Sequence, residues 1–79
     1  MAFLYLYDLK AKNQREFNQL KRVFYYHMAK LNLGRETWKT KSAFVVPESK
    51  ELIIDAFFRR FSRSVEVYKA FIHSIEELD

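Results

Sequence analysis

Asp8 closes the run Met1-Ala2-Phe3-Leu4-Tyr5-Leu6-Tyr7-Asp8, an apolar and aromatic segment that stops on a carboxylate just before a basic helical pattern begins. A carboxylate at a strand end can hold a hard divalent cation such as Mg²⁺ or Mn²⁺, which takes oxygen ligands and keeps waters to share with phosphates. One acid per chain is too few for such a site. Asp8 would therefore act as a catalytic and metal-binding residue only if a two-fold homodimer brought two copies together, and symmetric dimers are the commonest oligomers. The plainer expectation is that Asp8 caps the following turn or pairs with Lys10 or Lys12.

Cations crowd the same neighbourhood. Between Lys10 and Lys41 nine basic residues stand against Glu16 and Glu36, a local balance of +7, whereas Ser64 to Asp79 carries Lys69 against Glu66, Glu76, Glu77 and Asp79, a balance of −3. This asymmetry, more than the overall charge of +4, favours an anionic partner such as DNA or RNA. Lys10, Lys12, Arg15, Lys39 and Lys41 fall around the predicted strand ends, and Arg59, Arg60 and Arg63 form a second patch. Cations without a groove-reading helix supply affinity through backbone phosphates rather than choice of sequence. Trp38 and the tyrosines are suited to stacking on unpaired bases, but at this aromatic density the core is their expected place.

Other chemistries lack their residues. One glycine cannot build a phosphate-cradling loop, His27 and His73 are isolated, and without cysteine there is neither a disulfide framework nor a thiolate metal site. No local signature assembles a Ser/His/Asp nucleophile. A small domain with one candidate acid is expected to bind more than to catalyse, so a metal-dependent nuclease stands below a binding protein. The N-terminal apolar run is interrupted by Asp8 and falls far short of the roughly 20 residues of a membrane helix, so a cytosolic protein is expected.

The elements that must position these residues are legible from spacing. The chain of 79 residues is read as one domain, 1–79, with a marginal core that dense aromatic packing or dimerisation must supplement. Residues 2–8 read as a strand covered on both faces or central in a sheet. Asn13 stands three residues before Glu16 as a variant capping box, and Phe17, Leu20, Phe24, Met28 and Leu31 follow at helical spacing. Gly34, in the left-handed conformation, is expected to close that helix near Leu33. Trp38, Thr40, Ser42, Phe44 and Val46 then alternate with Lys39, Lys41, Ala43 and Val45 at the two-residue period of a strand, and a bend near Thr40 would split it in two.

Pro47 and Ser49 start a second predicted helix, with Leu52 or Ile53, Ala56, Phe57 and Phe61 on its apolar face. Val65 to Ile72 reads as the closing strand, leaving His73 to Asp79 as a tail. Strand, helix, strand pair, helix, strand is most economically folded as an α+β two-layer sandwich of the ferredoxin-like, split βαβ kind, with two helices on one antiparallel sheet. Ile54 and Phe58, four apart, fall off the predicted apolar face. They motivate a rival reading, a protein-interaction module that assembles through apolar surface with a protein partner.

The Tyr7-Asp8 strand end, the basic helix closed by Gly34, Trp38-Lys39-Thr40-Lys41-Ser42-Ala43-Phe44, and Val65-Glu66-Val67-Tyr68 at the closing strand together resemble CRISPR-associated protein two, the small non-integrase subunit of the spacer-acquisition complex. Related ferredoxin-like nucleases of toxin systems share this outline. The resemblance implies a homodimer that holds duplex DNA or, in some members, a metal-dependent nuclease whose strand-end acid is matched by Asp8. Two departures bear against catalysis. Val45, Val46 and Pro47 stand where the family usually has an acidic residue and a glycine, and the tail that typically reaches the partner subunit is cut to His73–Asp79.

Overall fold

The computed structural model describes residues 1–78, the side chain of Glu36 excepted; Asp79, counted above in the acidic tail, lies outside the described residues. The chain runs β1 (Ala2–Leu9), α1 (Gln14–Ala29), β2 (Trp38–Thr40), β3 (Ala43–Pro47), α2 (Glu51–Arg59) and β4 (Val65–Ile72), with single 3₁₀ turns at Arg35–Thr37 and Glu48–Lys50. The sheet order is β2-β3-β1-β4, and the paired strands are antiparallel throughout. Each helix carries the chain past one intervening strand, which is the split βαβ connection made twice and defines a ferredoxin-like sandwich.

Alternation along β1 divides the sheet into two unlike faces. Phe3, Tyr5 and Tyr7 are buried beneath the helices, joined by Phe44 and Val46 of β3 and Val65 of β4. From above, α1 contributes Phe24 and Met28, and α2 contributes Ile54, Phe57 and Phe58. The rings interlock: Tyr5 stacks on Phe44 at 5.4 Å and on Phe58 at 5.7 Å, while Phe24 meets Tyr7 and Phe57 at 5.2 Å each. Such pairs add about 0.5–1.5 kcal/mol beyond area burial. This is how so short a chain without disulfides holds two layers together.

Local chemistry fixes the ends of the elements. Asn13 caps α1, its side chain accepting from the Glu16 amide at 2.9 Å. The reciprocal arm is shifted, because the Glu16 carboxylate accepts from the Lys12 amide at 3.4 Å instead of from Asn13. The bend expected near Thr40 is a turn at Lys41 and Ser42, where the Thr40 hydroxyl accepts from the Ser42 amide at 3.2 Å. That hydroxyl-made turn, accompanied by a register shift between Trp38 and Thr40, replaces the Asn-Gly signal of regular two-residue hairpins.

Two expectations are corrected. Helix α1 ends at Ala29, not near Leu33, and Gly34 has φ −71°; the left-handed residue is Asn32, with φ 58°. A short polar side chain tolerates that conformation, so the glycine was not needed for it. In α2 the buried stripe is Ile54, Phe57 and Phe58, continued by half-buried Phe61, while Leu52, Ile53 and Ala56 face solvent. Pro47 still belongs to β3 and Ser49 lies in the 3₁₀ turn. The helix therefore starts at Glu51, with a phase set by the i, i+3, i+4, i+7 spacing from Ile54.

Candidate nucleic-acid interface

The antiparallel registers decide which segments share an end of the sheet. Leu9 pairs with Val65, and Leu6 with Ala43, so the exit of β1, the β2–β3 turn and the entry of β4 lie together. Helix α1 begins there and α2 finishes there, because each runs antiparallel to the strands it connects. The Lys10 amide donates to the Ser64 carbonyl at 2.7 Å and the Tyr7 amide to the Ser42 carbonyl at 3.1 Å, tying three of these segments to one another. Lys10, Lys12, Arg15, Lys39, Lys41, Arg59, Arg60 and Arg63 all belong to this end and are exposed. What the sequence offered as two patches is one basic end of the molecule.

Acids at this end are fewer. Asp8 accepts from Lys10 at 3.0 Å, and both side chains are more than half exposed. The hydrogen bond and charge of Asp8, with the charge of Glu66 beyond it, raise the Lys10 ammonium above its ordinary value. Glu66 was not singled out in the sequence. It stands directly opposite Asp8 across the β1–β4 pair, a neighbour that only the register supplies. Among the described residues no group of three or more His, Cys, Asp or Glu side chains is placed to hold a metal ion. The exposed carboxylates of Asp8, Glu66 and, in the first turn of α1, Glu16 do not make a divalent-cation site within one chain, and Asp8 is already paired with a lysine.

Behind the basic rim, between α1 and the β2–β3 hairpin, lies a cleft of about 790 Å³. Phe17, Lys21 and Tyr25 of α1 form one wall, Trp38 with Thr40 to Ser42 the other, and Tyr7 to Leu9 the floor. The Tyr7 hydroxyl donates to the Lys41 carbonyl at 3.1 Å and lies 2.9 Å from the Tyr25 hydroxyl. Having one proton to give, Tyr7 must accept from Tyr25. Burial pushes the Tyr7 phenol well above its ordinary value, so it stays neutral. These bonds brace the turn that carries Lys41. Lys21 is a basic residue of the cleft that the strand-end argument passed over, although it lies one helical turn from Phe17 and Tyr25.

Lys69 lies elsewhere and is engaged by the fold. It donates to Glu51 at 2.7 Å and Asp55 at 2.8 Å, and sits over the Phe3 ring. Asp55 also accepts from the Tyr5 hydroxyl at 2.7 Å. Burial pushes the Asp55 carboxyl upward, but the hydrogen bonds of Lys69 and Tyr5 and the charges of Lys69 and Arg59 outweigh it and hold the carboxyl below its ordinary value. Ile54 and Phe58, the residues behind the rival reading, are core side chains 1% and 5% exposed, so they offer nothing to a partner.

The sheet face away from the helices is bare. Leu4, Leu6, Val45, Tyr68, Ala70 and Ile72 lie on it by register, and Tyr68 at 64% and Leu6 at 46% exposure show that no described element covers it. No described helix is long and apolar enough to cross a membrane. Comparison of the chain with family models, with characterised proteins and with solved structures finds no match in any of the three.

Proposed function

We propose that this protein is a small cytosolic nucleic-acid-binding homodimer that grips the phosphate backbone with the basic end of its sheet. The observation that carries the reading is the convergence of eight exposed basic side chains from the β1–α1 connection, the start of α1, the β2–β3 hairpin, the end of α2 and the α2–β4 turn onto one end. Phosphate binding needs such a field and little more, because released counterions supply most of the affinity and no base has to be read. Resemblance to CRISPR-associated protein two points the same way. In the dimer the bare sheet faces of two copies meet, removing Leu6 and Tyr68 from water and placing both copies of Asp8 on the shared side.

Binding is favoured over metal-dependent cleavage because Asp8 is already paired with Lys10 and no group of three or more ligating side chains forms around it among the described residues of one chain, so that cleavage would depend wholly on the second copy. The test is fluorescence anisotropy of labelled duplex DNA and RNA titrated across salt. Affinity should fall steeply and log-linearly with salt, and Lys39→Gln with Lys41→Gln should weaken binding to unrelated sequences alike and flatten the slope by about one unit per lost phosphate contact. A salt-insensitive association, or equal binding by parent and double variant, counts against the basic end.

A further inference from the structure

The basic rim accounts for phosphates, but it does not account for the concavity it surrounds. Backbone phosphates present no apolar surface, and a regular duplex keeps its bases stacked inside, so neither would fill a cleft walled by Phe17, Tyr25 and Trp38. We infer that this cleft receives one unpaired nucleotide, its base lying among the aromatic rings and its phosphate held between Lys21 and Lys41. The inference rests on the nucleic-acid reading above and extends it from phosphate affinity to a choice of unpaired over paired ends.

Four features support that occupant. The cleft's volume, about 790 Å³, is within the range of small-ligand sites and admits a base with its sugar. Its two lysines come from opposite walls, Lys21 from α1 and Lys41 from the turn, as a clamp on one anionic group requires. Trp38 is only partly covered although it packs on Phe44 at 5.0 Å, so one side is anchored while surface remains for a ring to stack against. Tyr25, having given its proton to Tyr7, keeps an oxygen able to accept from a base amine. Asp8 also borders the cleft and would repel an anion, but its carboxylate is engaged by Lys10 at 3.0 Å, which leaves the lysine side for the phosphate.

Trp38 is the chain's one tryptophan, so its fluorescence reports the cleft alone. Two short DNA duplexes are compared, one blunt and one ending in a single unpaired nucleotide, with affinity read by anisotropy and Trp38 emission read on unlabelled samples. The unpaired end should quench Trp38 saturably and bind about tenfold tighter than the blunt end, the gain expected from one stacked base. Trp38→Ala should erase that preference, and Lys21→Gln, which changes an exposed side chain and leaves the core intact, should narrow it if the tryptophan variant fails to fold. Equal affinity for both ends with unquenched Trp38 overturns the cleft assignment while leaving the basic end standing. No binding of either duplex overturns the basic end, and this inference with it.

Discussion

At the scale of single residues, Asp8 and Asp55 show how placement separates two carboxylates of the same type. Asp8 is exposed beside Lys10 at the basic end, whereas Asp55 is held by Tyr5 and Lys69 at the edge of the core. Asp8→Asn should leave the fold unchanged and tighten DNA binding, since it removes a negative charge near the phosphates and releases Lys10; neither parent nor variant is expected to cleave DNA or RNA with Mg²⁺ or Mn²⁺. Parent cleavage abolished by this substitution would restore the nuclease reading. Asp55→Asn, by contrast, should cost about 1.5–3 kcal/mol near neutral pH, the worth of a charged hydrogen bond.

The pH dependence of that loss has a definite sign. A carboxyl held below its ordinary 3.8 contributes stability that is present above that value and disappears as pH falls through the folded-state value, so parent and Asp55→Asn should converge in strong acid. At the other extreme Tyr5 and Tyr7 are pushed above their ordinary 10.0, chiefly by burial. Their stabilising effect is complete below pH 10.0 and is lost as pH rises beyond it, because the unfolded chain gives up the phenolic protons first. Denaturant melts across pH should show a steep alkaline decline, made shallower by Tyr7→Phe.

At the scale of elements, α2 is the one whose orientation the core had to choose. Leu52, Ile53 and Ile54 are consecutive, as are Phe57 and Phe58, so two apolar stripes fit the sequence. Packing of Phe58 against Tyr5 and Phe44 selects the stripe containing Ile54. Ile54→Ala should therefore cost about 2–5 kcal/mol, a large share of a small domain's stability, while Ile53→Ala at an exposed site should change it by about 0.5 kcal/mol or less. Equal costs at the two positions, measured by urea titration, would mean the helix is rotated from the orientation described. The start of α1 is simpler, and Asn13→Ala should cost about 1 kcal/mol by removing the cap that the Glu16 amide uses.

At the scale of the whole molecule, one sheet face carries the core and the other, largely apolar, is covered by no described element, while one end carries the basic residues. A domain this size buries only about 60% of its unfolded surface, so pairing two bare faces is an efficient route to further stability. Sedimentation over a wide concentration range should give twice the chain mass for the parent, and Tyr68→Glu should return it to a monomer by placing a charge in the seam. A parent that stays monomeric at high concentration rules out the face-to-face pair. Because each protomer keeps its own basic end, the monomeric variant should still bind nucleic acid, with weaker affinity and a smaller salt slope.

Periods and caps were enough for the element order. The two-residue alternation from Trp38 to Val46, the spacing of Phe17, Phe24 and Met28, and Asn13 before Glu16 are local patterns whose physical causes lie within a few residues, and the ferredoxin-like sandwich follows from their order. The sign of the basic region was likewise plain from composition. Tertiary structure decided whatever depends on residues distant in sequence: the phase of α2, which needed Tyr5 and Phe44 to choose between two stripes; the left-handed position, which went to Asn32 while Gly34 took an ordinary conformation; and the placing of Glu66 beside Asp8, which is a matter of strand register. The merging of Lys10, Lys41 and Arg63 into one end is of the same kind, since charges far apart in the chain become neighbours only when β1 and β4 pair antiparallel and both helices are returned to one side of the sheet.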